Sequence, residues 1–157
     1  MSAPSRRATA VAHPNIALSK YWGKLPLEGN YPAVPSLSVT LEGMSTRTTV
    51  AFEADPGDDA FTLGGAPMSH GREKAVRLLA RVRRAAGLRG RAVVESANDF
   101  PTGSGLASSA SGFAALALAA SAAAGLSLTP GDVSALAREA SASAARSVFG
   151  GFVELPL

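Results

Sequence analysis

Cysteine is absent from the 157 residues, which excludes disulfides, thiol nucleophiles and thiolate metal sites. Histidine occurs only twice, at His13 and His70, far apart in the chain, so a histidine-based metal site is not expected. Aromatic residues are scarce, at 6%, and do not interleave with the basic run Arg72–Arg91. The net charge of +3 therefore reads as a bias toward anionic small molecules, not toward nucleic acid. The N-terminal Met1-Ser-Ala-Pro-Ser-Arg-Arg carries two arginines with no apolar run behind them, which is not a secretory pattern. The longest stretch of small apolar residues, Phe113–Leu128, is mostly alanine and contains Ser121, too weakly apolar to span a bilayer. A cytoplasmic location without a membrane or nucleic-acid partner is the expectation. What remains is 46% hydrophobic and 17% charged, enough for one folded domain with a real core.

The segments predict an α+β domain. Thr9–Ala12 is a short apolar run that Pro14 interrupts, and Ile16–Trp22 follows. Ser36–Leu41 alternates, with Leu37, Val39 and Leu41 on one face and Ser36, Ser38 and Thr40 on the other, as a strand does. Thr46–Phe52 is β-branched, and the turn Pro56-Gly-Asp-Asp predicts that 46–52 and 60–63 pair. Gly64-Gly65 turns the chain before a short segment at Ala66–Met68. Apolar residues at Val76, Leu79, Ala80 and Val82 predict an amphipathic helix over Arg72–Ala86, ended by Gly87. Ala92–Ser96 reads as a strand and Leu106–Ala124 as a long Ala/Leu helix ended by Gly125. Thr129 as N-cap and Pro130 at N1 open a third helix over about 130–141. Arg146–Val153 reads as a turn leading into a strand.

The most informative stretch is Asn98-Asp-Phe-Pro-Thr-Gly-Ser-Gly-Leu-Ala-Ser-Ser-Ala, in the order strand, glycine turn, helix. Gly103 and Gly105 permit backbone angles that turn several N–H groups outward together, at a helix start where the dipole favours anions. Ser104, Ser108 and Ser109 add hydroxyl donors and candidate Mg²⁺ ligands. No Gly-Lys-Ser/Thr follows, so this is not a Walker loop. On its own the pattern also fits a serine-capped helix after a tight turn.

Two further groupings can hold anions. Lys20 and Lys24 stand four apart with Tyr21 between them, so the two ammonium groups share a face. The same spacing suits two solvated lysines beside a core Trp22. Ser141-Ala-Ser-Ala-Ala-Arg146 combines two hydroxyls near a helix end with a guanidinium able to grip a carboxylate bidentately. It equally suits helix-end serines and a surface arginine.

Pro101 followed by Gly105-Leu-Ala-Ser-Ser-Ala110 resembles the phosphate loop of the GHMP kinase superfamily. Asn15-Ile-Ala-Leu-Ser-Lys-Tyr-Trp-Gly-Lys24 and Ser141-Ala-Ser-Ala-Ala-Arg-Ser-Val-Phe-Gly-Gly-Phe152 resemble two signatures of its diphosphomevalonate decarboxylase family. The three matches stand in order and bracket most of residues 8–154. The resemblance implies a GHMP-kinase N-terminal domain over 1–157 with a left-handed β-α-β unit, incomplete, and with the C-terminal GHMP domain absent. It implies ATP against Ser96, Gly103, Ser104, Gly105, Leu106, Ala107, Ser108 and Ser109, with Mg²⁺ near Ser108. It places mevalonate 5-diphosphate against Ala17, Lys20, Tyr21, Lys24, Ser141 and Ser143, and gives Arg146 the substrate carboxylate and a catalytic role. A homodimer is implied for the full-length form.

The implied reaction phosphorylates the tertiary 3-hydroxyl with ATP, and then loses phosphate and CO₂ to give isopentenyl diphosphate. That hydroxyl needs a carboxylate to orient it or take its proton. In the family this is an Asp of the C-terminal domain, and Asp99, Asp132 and Glu139 match no such role, so they read as solvated charges or caps. The chain alone is expected to be inactive, and its last strand, Phe152-Val-Glu-Leu-Pro-Leu, to expose an apolar surface. A mevalonate or phosphomevalonate kinase and a non-catalytic nucleotide-binding module are the alternatives. Two departures bear on substrate choice: Leu25-Pro26 stands where the family often has Arg-Asp, and Pro32-Ala-Val-Pro-Ser36 replaces a more polar segment.

Overall fold

Among the described residues, two antiparallel-rich sheets pack with three helices. The computed structural model describes residues 6–19, 23–101 and 108–156. The strands are β1 (Arg6–Ala12), β2 (Asn15–Ser19), β3 (Ser36–Thr40), β4 (Thr46–Glu53), β5 (Ala60–Leu63), β6 (Ala66–Pro67), β7 (Arg91–Asn98) and β8 (Phe152–Leu155). The helices are α1 (Arg72–Ala86), α2 (Ser108–Ala123) and α3 (Pro130–Ala140), and a 3₁₀ segment spans Ala142–Val148. The larger sheet has the order β1-β4-β7-β5-β6 and the smaller β2-β3-β8. The expected α+β class holds, and β5, α1 and parallel β7 form a β-α-β unit.

The helices form where the sequence places them. α1 ends at Gly87, which takes the left-handed angles that release the chain. Its buried stripe is Ala75, Leu78, Leu79 and Val82, with Val76 and Ala80 on the flanks. Thr129 caps α3, its hydroxyl accepting from the Asp132 N–H while the Asp132 carboxylate accepts from the Thr129 N–H. α2 is apolar on every side and buried, its alanines letting it lie close against β1, β4 and α3. Val50, Phe52, Phe61, Leu78, Leu79, Val82, Val94 and Leu116 fill the space between helices and sheet. Among the described residues, no helix is long and apolar enough to cross a membrane.

Two expectations need correction. Strands 46–53 and 60–63 do not pair, because β7 lies between them, antiparallel to β4 and parallel to β5. The reason is Asp59, whose buried carboxylate accepts from the Ala92 N–H at 2.8 Å and from both Nη atoms of Arg83, at 2.6 and 2.9 Å. The start of β5 is thereby tied to β7 and α1. Arg146–Val153, read as a turn leading into a strand, does lead into β8, but what precedes it is a 3₁₀ segment over Ala142–Val148. In β3 the alternation is as read; the hydroxyl face of Ser36, Ser38 and Thr40 is the buried one, and Leu37 is exposed. The outer face of the small sheet accordingly shows Ile16, Leu18, Leu37 and Phe152 to solvent, Phe152 at 73%.

Candidate functional site

The smaller sheet and the 3₁₀ segment enclose a polar seam. Arg146 is 3% exposed; its Nη1 donates to Ser36 Oγ at 2.6 Å, and its Nε and Nη2 each lie 3.4 Å from Asn15 Oδ1. Asn15, also buried, turns its Nδ2 to the Ser143 carbonyl at 3.0 Å and to Ser147 Oγ at 2.7 Å. One amide thus fixes the guanidinium and the turn that carries it. Burial of so many polar groups is tolerated because each finds a partner. Ser141, the C-cap of α3, and Ser143 have their hydroxyls 3.1 Å apart, so the two expected phosphate donors do come together. Ala17 is half-buried in β2 opposite Ser38.

Lys24 reaches this region indirectly. It is exposed, and its Nζ donates to Asn30 Oδ1 at 2.7 Å, while Asn30 Nδ2 donates to the carbonyls of Arg138 and Glu139 at the end of α3. Lys20 and Tyr21 lie outside the described residues, as do Gly103, Ser104, Gly105, Leu106 and Ala107.

A second concavity, of about 340 Å³, opens beside the start of α2. Ser108, Ser109 and Gly112 line it from the helix, Thr46, Thr48, Val94, Ser96 and Asn98 from β4 and β7. Leu63, Met68, Phe113 and Leu116 supply its apolar wall, and His70 and Lys74 add basic groups. Its polar side chains are hydrogen-bonded: Ser96 pairs with Thr48 at 2.8 Å, and Thr46 pairs with Ser111 at 2.7 Å and donates to Asn98 Oδ1 at 2.7 Å. An apolar wall for a flat base, ending at a helix N-terminus, suits a nucleotide. Ser96, Ser108 and Ser109 therefore share one cleft. Among the described residues no three His, Cys, Asp or Glu side chains gather as a metal site. A divalent ion here would rest on phosphate oxygens and at most a hydroxyl such as Ser108.

The acids are occupied elsewhere. Asp99 accepts from the Ser45 hydroxyl at 2.7 Å and the Ser45 N–H at 2.6 Å, which hold its carboxyl below the usual range, the hydroxyl having the larger effect. The Thr129 hydroxyl, and then its N–H, lower Asp132 in the same way. Glu139 pairs with Arg81 of α1. Sequence reading passed over Asn15, although it opens the first signature segment, and over Lys74, Asn30 and Ser36. Asn15 and Ser36 carry no charge, and their partners lie more than a hundred positions away.

The diphosphomevalonate decarboxylase-like N-terminal domain model matches residues 12–156. The phosphomevalonate decarboxylase of Haloferax volcanii is 44% identical over 150 residues, covering 95% of this chain and 46% of that protein. The mevalonate diphosphate decarboxylase structure from Staphylococcus aureus is 45% identical with a TM-score of 0.90, covering 97% of this chain and 46% of that one. A structure of the Enterococcus faecalis enzyme, concerned with mevalonate diphosphate mediated ATP binding, is 48% identical with a TM-score of 0.87, over 96% and 47%. The chain spans about half the length of these relatives. By sequence and by fold, it belongs to the diphosphomevalonate decarboxylase-like N-terminal domain family.

Proposed function

We propose that the chain is the nucleotide- and substrate-binding part of an ATP-dependent decarboxylase that converts mevalonate 5-diphosphate to isopentenyl diphosphate, ADP, phosphate and CO₂. The observation that carries this reading is the buried Arg146, held by Asn15 and Ser36 directly after the paired hydroxyls of Ser141 and Ser143. A guanidinium beside two hydroxyls matches a molecule with a carboxylate at one end and a diphosphate at the other. Arg146 takes the carboxylate; Lys20, Tyr21, Lys24, Ser141 and Ser143 take the diphosphate, against the backbone of Ala17. Support for the ligands comes from relatives: MDDEF, 48% identical, is in complex with MVAPP, AMPPCP and magnesium.

Nucleotide phosphates lie at the start of α2, against residues 103–109, with Ser96 in the cleft wall. The chain contributes positioning and charge neutralisation, which phosphoryl transfer mostly demands. Magnesium, when bound near Ser108, supplies neutralisation of the transferred phosphoryl oxygens. The residue that accepts the 3-hydroxyl proton is not Asp99, Asp132 or Glu139, since each is committed to a structural partner. We place it in the half of the relatives that this chain does not match, and infer that the 157 residues bind without turning over. A homodimer and a cytoplasmic location belong to the same proposal.

The test is calorimetric binding of AMPPCP and mevalonate 5-diphosphate to the chain, with CO₂ release and ADP formation assayed in parallel. Binding with little turnover is expected. Robust turnover would return the base to this chain, and absence of both binding events would overturn the reading. The Haloferax volcanii relative is a phosphomevalonate decarboxylase, so the monophosphate is titrated alongside; tighter binding of the monophosphate would reassign the substrate.

A further inference from the structure

The chain from Gly23 to Ala33 folds back on itself. Ala33 N–H donates to the Gly23 carbonyl at 3.3 Å, Lys24 bridges to Pro32, and Leu25 N–H donates to the Tyr31 carbonyl at 3.0 Å. The tip turns through Gly29 (φ 101°) and Asn30 (φ 54°). Asparagine is among the few side-chain-bearing residues that accept such an angle readily.

This hairpin is strapped to the end of α3. A helix leaves its last carbonyls without intrahelical partners, and a left-handed glycine commonly resolves them. α3 has no such glycine: its C-cap, Ser141, is extended (φ −156°, ψ 124°). Asn30 Nδ2 serves instead, donating to the Glu139 carbonyl at 2.7 Å and the Arg138 carbonyl at 3.1 Å. Arg138 returns the contact, its Nε donating to the Gly29 carbonyl at 3.1 Å and its guanidinium standing 3.8 Å from the Tyr31 ring centre. The other face of the same amide, Oδ1, accepts from Lys24 Nζ at 2.7 Å.

We infer that Asn30 is a positioning residue for anion binding: one side chain caps α3 just ahead of Ser141 and Ser143 and at the same time fixes the Lys24 ammonium, so that the two halves of the anion site are set by a single amide. The inference rests on the diphosphate site proposed above. A helix cap alone would not require its second face to hold a lysine six residues earlier in the hairpin.

Asn30→Gly keeps the left-handed backbone and deletes the amide. With inorganic pyrophosphate and mevalonate 5-diphosphate as probes, Asn30→Gly weakens binding about fivefold and Lys24→Met about tenfold. Because Asn30 acts partly through Lys24 and partly through the end of α3, the double variant binds more weakly than Lys24→Met alone, but by less than the product of the two single effects. Amide exchange over residues 141–147 accelerates in Asn30→Gly, and also in Asn30→Asp, which keeps the Lys24 contact but cannot donate to the carbonyls. Unchanged exchange, unchanged affinity, or a double variant weakened by the full product of about fiftyfold each overturns the inference. If the wild-type chain binds neither anion, the diphosphate site itself falls, and exchange alone decides the strap.

Discussion

Replacing Asn15 by alanine should damage both stability and substrate binding, by amounts the seam geometry sets. The change removes two donated hydrogen bonds, 2.7 Å to Ser147 Oγ and 3.0 Å to the Ser143 carbonyl. It also removes the oxygen 3.4 Å from both Nε and Nη2 of Arg146. A buried partner left unsatisfied costs about 1–3 kcal/mol. The Ser147 hydroxyl rotates and the Ser143 carbonyl keeps a second lone pair, so these two fall at the low end, and Arg146 retains Ser36. A total near 3 kcal/mol follows, and at about 2–4 °C per kcal/mol the melting temperature drops by roughly 6–12 °C. Loss of guanidinium orientation adds a functional effect: affinity for mevalonate 5-diphosphate falls about tenfold or more. Thermal melts and calorimetric titration of Asn15→Ala measure both, with Ser36→Ala, which removes the Nη1 acceptor, as the companion variant. A variant that melts with the wild type would show that water or a neighbour replaces the amide. One that is destabilised yet binds the substrate unchanged would show that Arg146 does not depend on Asn15.

Ser108→Ala should weaken AMPPCP binding about tenfold while leaving the melting temperature nearly unchanged, since Ser108 lies at the rim of the cleft; equal affinity would remove Ser108 from the phosphate site. Lys24→Met should raise the dissociation constant for mevalonate 5-diphosphate roughly tenfold, the loss of one charge-assisted contact, read in the same titration. Asp99 gives a pH dependence. Its folded-state value lies below the ordinary 3.8 because the Ser45 hydroxyl and N–H favour the carboxylate. Its stabilisation is therefore complete above 3.8 and disappears as pH falls through the lowered value. Asp99→Asn should melt below the wild type at neutral pH, and the gap should close in increasingly acidic buffer; a gap that widens would reverse the sign.

Elements defined by local chemistry were legible. The bounds of α1 follow from its periodicity and from Gly87, and the start of α3 from Thr129-Pro130, because capping acts within one turn. Strand neighbours were not, since a turn such as Pro56-Gly-Asp-Asp advertises the nearest strand as partner, whereas Asp59 is bound to Ala92 and Arg83, far along the chain. The 3₁₀ segment, Ala-Ser-Ala-Ala-Arg-Ser-Val, is mostly Ala and Ser and carries no periodic signal. At the site, the hydroxyls of Ser141 and Ser143 could be anticipated from their proximity in sequence. The amides of Asn15 and Asn30 could not, because each acts on groups about 110–130 positions distant.

The orientation of β3 shows what decides a strand's facing when pattern and chemistry disagree. Alternation places Leu37 and Val39 together and would ordinarily turn them inward. Turning them inward would add little, since Leu37 is already only 38% exposed and Val39 half-buried, so that roughly 1 kcal/mol each remains to be gained. The opposite term is larger. A one-residue slip would carry Ser36, Ser38 and Thr40 to the outer face, and set Leu37 and Val39 against the Arg146 guanidinium. Leaving the buried guanidinium without its Ser36 acceptor costs about 1–3 kcal/mol, and the hydroxyl bonds of Ser38 and Thr40 would be lost besides. Ser36 holds Nη1 at 2.6 Å, and Ser38 and Thr40 hold the carbonyls of Val153 and Phe149 at 3.5 and 3.4 Å, which ties the inward face to β8 and the chain just ahead of it. The buried arginine therefore sets the register, and the apolar residues on the outer face are the consequence of seating a cation inside.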